Sequence, residues 1–284
     1  RFDFTASFQK NIRERLSLAL NFRQPLVSGF SAPFLPFLGV EYAVIKSSTQ
    51  DLTVRGNVSK NYRIPTLNDR YWQSAGTKEL LPETSFASEL GWRWRIGNFK
   101  VDNTWFNQEI DQWIQWVPQQ DGQYIPRNVK KIRAQGFEVR LSGQSQIANI
   151  AITPIVSYQF TKSITTEAPL ADQLSLGKQL IYTPVHTATG YMKVNWTNYL
   201  FILGAHYSGK RYVDFSNSEI YALPAYALVN FSAARSWTIR RHRIDVSFSI
   251  HNLANKDYQQ YSGRAMPGRN YNVKLNYQLN YKPK

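Results

Sequence analysis

The chain has 284 residues, of which 43% are hydrophobic and 14% aromatic, and its formal net charge is +15. It contains no cysteine, which excludes disulfides and thiolate chemistry, and no stretch approaches the ~18 consecutive apolar residues of a membrane-spanning helix. The basic residues are scattered along the whole chain and do not form one stripe, so the charge does not favour nucleic-acid binding.

Apolar and polar residues alternate with a period of two in segments spread along the chain. In the last segment, odd positions 271–281 are Tyr, Val, Leu, Tyr, Leu and Tyr, while even positions 272–282 are Asn, Lys, Asn, Gln, Asn and Lys. Strands of this kind turn one face to hydrocarbon and the other to water. The pattern predicts an all-β fold, the wall of an antiparallel transmembrane β-barrel.

The alternation divides the chain into strands, turns and loops. It predicts thirteen strands, at residues 2–10, 12–22, 37–46, 51–60, 85–96, 99–116, 131–143, 147–162, 185–196, 199–211, 222–236, 241–252 and 269–281. Short turns are predicted near 11, 47–50, 97–98, 144–146, 197–198 and 237–240, and long connections at 23–36, 61–84, 117–130, 163–184, 212–221 and 253–268. In bacterial outer-membrane barrels the short turns are periplasmic and the long loops extracellular.

An odd number of strands does not close a single-chain barrel of this class. An open strand edge in lipid would leave backbone N–H and C=O groups unpaired, at a cost of several kcal/mol each. We therefore expect residues 1–284 to form one domain, the C-terminal portion of a larger barrel, whose first and last strands do not pair with each other.

Four motifs follow one another along the chain. They are NYRIPTLNDRYW at 61–72 with LLPETS at 80–85, QGFE at 135–138, NLANKDY at 252–258, and MPGRN at 266–270. In sequence, order and spacing they resemble the signature of TonB-dependent outer-membrane receptors, and the resemblance covers essentially the whole chain.

That resemblance implies a barrel of about 22 strands, of which these would be the tenth to the last, preceded by a plug domain. Neither the plug nor the TonB box is found in this sequence. The implied function is import of a scarce nutrient, cobalamin or a ferric siderophore, with energy delivered by TonB. The implied partners are that nutrient, TonB through the plug, the rest of the barrel, and the lipid and lipopolysaccharide of the outer membrane. The terminal Lys282–Lys284 tail is similar to Bacteroidetes members of the family.

Candidate ligand-binding residues are the aromatic and basic residues near the predicted extracellular mouth. Aromatic rings offer stacking area with a polar edge, and guanidinium groups bind anionic groups. These candidates are Arg63, Arg70, Tyr71, Trp72, Trp113, Trp116, Tyr124, Arg127 and Arg264. The aromatic members could instead belong to the interfacial girdle of the barrel.

Other functions receive less support from the sequence. His186, His206, His242 and His251 all fall within predicted strands, so haem capture by a loop histidine is disfavoured, and we predict no cofactor or metal. A hydrolase would need a convergent nucleophile and base, or a carboxylate pair such as Asp69 with Glu79 or Glu83, so we predict that the chain is not an enzyme. A passive porin remains an alternative.

One connection is unusually apolar. Residues 32–37, with the sequence APFLPF, could pack against a surface lipoprotein that covers the mouth as a lid, or over the barrel lumen.

Overall fold

The computed structural model describes residues 2–119, 122–168 and 170–279, and its strands join in one antiparallel sheet. The strands are β1 (Phe2–Ile12), β2 (Leu16–Leu26), β3 (Leu35–Lys46), β4 (Gln50–Arg63), β5 (Glu83–Ile96), β6 (Phe99–Pro118), β7 (Tyr124–Gly143), β8 (Ser145–Ile147), β9 (Ile150–Glu167), β10 (His186–Trp196), β11 (Tyr199–Ser208), β12 (Tyr226–Ile239), β13 (His242–His251) and β14 (Asn270–Leu279). A helix, α1 (Leu67–Tyr71), and a 3₁₀ turn at Leu170–Ser175 interrupt two connections. No helix in the described residues is long and apolar enough to cross a membrane.

Each strand pairs with its neighbour in sequence, except that β7 pairs with β9 while the short β8 pairs with β9 alone. Thirteen strands therefore form the wall, as the alternation predicts. Within the described residues β1 pairs only with β2 and β14 only with β13, so the sheet is open. All four histidines lie in or at the ends of strands, which confirms their predicted placement.

Short and long connections alternate along the sheet, as predicted. The short turns lie at 13–15, 47–49, 97–98, 197–198 and 240–241, and β8 occupies the sixth short connection. The connections at the opposite end lie at 27–34, 64–82, 119–123, 168–185, 209–225 and 252–269. One end of the sheet therefore has only short turns, and the other end carries nearly all of the irregular structure.

The strand register carries one apolar face across the sheet, which we call the outer face. Leu20 pairs with Phe8 on one side and Leu38 on the other, and the same face continues to Leu275, which pairs with Val246. Large side chains on this face stay exposed, with Leu275 67% exposed. Such exposure is expected where the solvent is lipid.

The opposite face, which we call the lumen face, is polar. Arg93 donates to Asp102 at 2.9 Å, and Arg55 donates to the Thr104 hydroxyl at 2.9 Å. Together with Arg140 these residues line a depression of about 420 Å³. The two faces thus have the opposite solvent preferences that a membrane-spanning barrel wall requires.

Several predicted boundaries differ from the structure. The bounds of the predicted long connection at 117–130 are wrong, because β6 continues to Pro118 and β7 begins at Tyr124 in the same register; residues 120 and 121 lie outside the described residues. The first turn lies at 13–15 and not at Asn11, since Asn11 pairs with Ser17. Leu35 and Pro36, predicted to lie in the connection, belong to β3, and the Phe34 ring stacks on Phe22 of the outer face with centroids 5.6 Å apart.

The alternation of faces predicts an asymmetric response to charge in β14. Leu275→Arg places a cation on the outer face and should cost about 2–4 kcal/mol of folding free energy if the site lies near the bilayer midplane, while Asn276→Arg on the lumen face should be tolerated. The full-length protein with each substitution is folded into vesicles, and the folded fraction is measured from its heat-modifiable mobility on a gel. Equal sensitivity at the two positions would contradict the assigned faces.

Candidate functional site

The connection between β4 and β5 is organised around α1 at the irregular end of the sheet. Thr66 caps this helix: its hydroxyl accepts the Asp69 N–H at 3.1 Å, and the Asp69 carboxylate accepts the Thr66 N–H at 2.8 Å. Pro65 holds Ile64 extended before the cap. The Pro-Thr-x-x-Asp part of the first motif is therefore a reciprocal helix cap.

Two buried carboxylates tie this connection to the hairpin of β6 and β7. Glu83 accepts the Arg63 guanidinium and the Ile114 backbone N–H, both at 2.8 Å. Asp69 accepts the Trp116 indole N–H at 2.9 Å and lies 3.6 Å from Arg63. Arg63 and Trp116, two of the sequence-predicted ligand contacts, thus hold the loop in place.

Asn128 adds a second attachment between the same two segments. Its side-chain oxygen accepts the Leu81 N–H at 2.9 Å, while its amide donates to the carbonyls of Leu81 at 3.0 Å and Gln112 at 2.7 Å. The Thr77 hydroxyl donates to the Pro126 carbonyl at 3.1 Å. The 64–82 connection is therefore fixed on the extended hairpin.

Burial opposes the ionisation of Asp69, but the hydrogen bonds from Thr66 and Trp116 and the charge of Arg63 outweigh it. The pKa of Asp69 therefore lies below its usual value. Both Asp69 oxygens accept hydrogen bonds, so this carboxylate is engaged in holding the loop and is not set up as a general base.

The fixed loop presents aromatic side chains outward. Tyr71 is 53% and Trp72 54% exposed, and Trp72 lines a pocket of about 330 Å³ with Trp116 and Tyr124. The Arg70 guanidinium lies 5.0 Å from the Phe30 ring centroid and 5.1 Å from that of Tyr71. Its Nε donates to the Lys78 carbonyl at 3.3 Å.

Tyr124 and Arg264, which are distant in sequence, are joined through two tyrosines that the sequence did not single out. The Tyr124 and Tyr182 hydroxyls lie 3.3 Å apart, and the rings of Tyr182 and Tyr261 lie 5.3 Å apart. The Arg264 guanidinium lies 5.9 Å from the Tyr261 ring. Burial and the hydrogen bond with Tyr124 raise the pKa of Tyr182 to about 12, so it stays neutral.

The remaining two candidates differ in environment. Trp113 packs against the small buried cluster of Ile110, Val129, Ile132 and Leu180, so its ring supports the hairpin. Arg127 is exposed, and its guanidinium donates to the Gln119 side chain at 3.2 Å. The structure thus brings Tyr71, Trp72, Tyr124 and the arginines to one end of the sheet, and it turns Trp113 inward.

Sequence reasoning considered Glu83 only as a possible partner of Asp69 in a catalytic carboxylate pair, and it missed Asn128, Tyr182 and Tyr261 as site-forming residues. Glu83 lies in the second half of the first motif, but the motif does not indicate that its carboxylate holds the loop. Tyr182 occupies the left-handed region at φ 58°, and its backbone N–H donates to the Tyr212 carbonyl at 2.8 Å. That contact between two long connections leaves no local pattern in the sequence.

Residues 2–253 match the protein family described as TonB-dependent receptor-like, beta-barrel. The chain belongs to this family. Its members are barrels of the bacterial outer membrane, and the chain accordingly lies there. The relatives and structural neighbours named below are transporters and receptors, which agrees with the prediction that the chain is not an enzyme.

Two curated relatives carry the description vitamin B12 transporter BtuB. The protein from Photobacterium profundum is 29% identical over 225 residues, which is 77% of this chain and 34% of that protein. The protein from Vibrio vulnificus is 35% identical over 79 residues, 28% of this chain and 13% of that protein. The chain spans about a third or less of these relatives.

Solved structures share the fold. The copper transporter OprC superposes with a TM-score of 0.72 at 14% identity, covering 97% of this chain and 47% of that one. The siderophore receptor PiuA from Acinetobacter baumannii superposes with a TM-score of 0.70 at 18% identity, covering 98% and 43%.

The buried network predicts different outcomes for two neighbouring acids. Glu83→Ala leaves the Ile114 N–H and Arg63 without their acceptor and should lower the free energy of unfolding by about 1–3 kcal/mol. Glu79→Ala removes an exposed acid and should stay within about 0.5 kcal/mol. Hydrogen exchange across 64–82 should accelerate in the first variant only; unchanged exchange there would contradict the network.

The depressed pKa of Asp69 predicts a pH dependence with a definite sign. Its stabilising contribution is fully present above the unfolded-state pKa, near ~3.9, and is lost as the pH falls through the lower folded-state value. The stability difference between wild type and Asp69→Asn should therefore shrink on acidification below pH ~4. Thermal unfolding of both proteins across this range measures it, and a difference that grew toward low pH would be inconsistent with the assignment.

Proposed function

We propose that the chain forms the barrel wall and part of the mouth of an outer-membrane receptor that imports a scarce nutrient with energy from TonB, and that cobalamin is the leading ligand. The observation that carries the proposal is the family match over residues 2–253, together with two relatives described as vitamin B12 transporters. A ferric siderophore is the second ligand class, in keeping with the siderophore receptors that share the fold.

The chemistry at the irregular end of the sheet supports a large organic ligand. Tyr71 and Trp72 offer stacking surface on a fixed loop, and Tyr124 lies beside the same pocket. Cobalamin has peripheral amides, an aromatic base and a phosphate, which fit aromatic rings and guanidinium groups. Arg70, Arg127 and Arg264 are the candidates for the anionic group.

The carboxylate network acts on the ligand indirectly. Asp69 and Glu83 fix α1 through Arg63 and Trp116, so the exposed rings at the end of that helix are held in place before the ligand arrives. A preorganised loop loses less conformational entropy on binding than a mobile one. Residues 63, 69, 83 and 116 are positioning residues in this proposal.

Energy coupling would require a plug that occludes the lumen and engages TonB, such as the plug found in members of the family. The polar lumen face suits contact with such a plug and passage of a hydrated ligand. A passive porin would share this polar wall, so uptake must be tested for dependence on TonB and on the proton gradient.

Binding of cobalamin, a panel of ferric siderophores and haem to the complete-gene product tests the ligand. We expect cobalamin or one siderophore to bind and haem to bind poorly. Trp72→Ala should lower the affinity for the preferred ligand about tenfold or more, which is the loss expected when one stacked aromatic ring is removed. Tyr207→Ala is the matched control, because Tyr207 is an exposed aromatic ring on the outer face.

Three outcomes would overturn the proposal. Tight binding of haem alone, abolished by a histidine substitution, would replace the ligand class. Nutrient uptake that continues unchanged in cells lacking TonB would favour a porin. If Trp72→Ala and Tyr207→Ala changed the ligand affinity equally, the mouth would not be the binding site.

A further inference from the structure

The outer face carries few charges where it passes through the membrane. Tracing the strand register across the described residues places Lys60, Lys131, Arg133 and Lys162 on this face in the halves of their strands toward the long connections, and Lys10 and Arg235 toward the short turns. Arg133 is paired with Glu109 at 2.8 Å. Arg235 has no ion-pair partner and no hydrogen-bond acceptor among residues 2–119, 122–168 and 170–279.

Arg235 lies instead over two aromatic rings. Its guanidinium carbon is 4.8 Å from the Tyr199 ring centroid and 4.9 Å from the Trp237 centroid. The Trp196 ring stacks on that of Tyr199 with centroids 5.6 Å apart. We call Arg235, Tyr199, Trp237 and Trp196 the arginine girdle site. The rings orient the guanidinium, and its N–H donors remain available.

We propose that the arginine girdle site binds the phosphate of one glycerophospholipid in the inner leaflet of the outer membrane. A cation on a lipid-facing surface needs a counter-charge, and lipid phosphates supply it at the depth of an aromatic girdle. The short turns at 197–198 and 240–241 place this site at the periplasmic end, where the leaflet consists of glycerophospholipid and not lipopolysaccharide. A planar guanidinium matches a phosphodiester through two parallel hydrogen bonds.

The adjoining surface suits the start of an acyl chain. Ala233 follows Arg235 toward the membrane centre on the same face, and the register places it between Phe201 and Phe248. A small side chain between two large ones leaves a shallow furrow that begins below the guanidinium. This inference rests on the family membership and the outer-face register, and it does not depend on the identity of the transported nutrient.

Native mass spectrometry of the complete-gene product in detergent tests the site. The probes are phosphatidylglycerol and a diacylglycerol with the same acyl chains, which lacks the phosphate. We expect one tightly retained phosphatidylglycerol, and Arg235→Gln should weaken its retention about tenfold or more, because the charge-assisted hydrogen bonds of the guanidinium disappear. Arg235→Lys keeps the charge but loses the planar fork, and it should weaken retention to an intermediate degree.

Lys10→Gln is the matched control, because Lys10 is a cation on the same face toward the same end and has no ring or ion-pair contact in the described residues. It should leave retention unchanged. Equal losses in Lys10→Gln and Arg235→Gln would show diffuse electrostatic attraction and overturn the proposal. Diacylglycerol retained as tightly as phosphatidylglycerol would overturn it also, since acyl contacts alone would then account for binding.

Discussion

Every backbone N–H and C=O group that enters hydrocarbon must be paired within the protein, and this constraint shapes the whole chain. It requires long antiparallel strands in continuous register, and that register transmits the alternation of one strand to the next. The outer face therefore extends without a break from Phe8 through Leu38 to Leu275. The lumen face, with Arg93 and Asp102, follows from the same geometry. Two solvents thus meet two faces of a single sheet.

Beyond the membrane the same register is used differently. Strand β6 continues to Pro118 and β7 begins at Tyr124, so the two strands form a paired ribbon that projects from the sheet and supplies a rigid support. The β4–β5 connection attaches to this support through Glu83, Asp69 and Asn128. Buried carboxylates are costly unless they are hydrogen-bonded and paired, and here each accepts donors from both segments. The first family motif thus supplies the side chains that attach the β4–β5 connection to the β6–β7 hairpin.

Aromatic residues have three different roles in this molecule. Trp113 fills a small core, Trp72 faces outward at the mouth, and Trp237 flanks Arg235 in the girdle. Composition cannot separate these roles, because each uses the same large ring with a polar edge. The three rings differ in what surrounds them: Trp113 contacts aliphatic side chains, Trp72 faces an open pocket, and Trp237 lies beside a guanidinium.

The sequence alone determined the fold class, the thirteen-strand wall, the alternation of short and long connections and the assignment of Leu275 and Asn276 to opposite faces. These depend on periodicity, which is local and repeats along each strand. Only the tertiary structure decided that residues 117–118 and 124–130 belong to an extended hairpin, because the pairing of β6 with β7 is not visible in either segment alone. It likewise decided that Arg63 and Trp116 bond to buried carboxylates, because those partners lie 20 and 47 residues away in the chain. Contacts between distant segments leave no periodic pattern, so they become visible only when the strands are placed side by side.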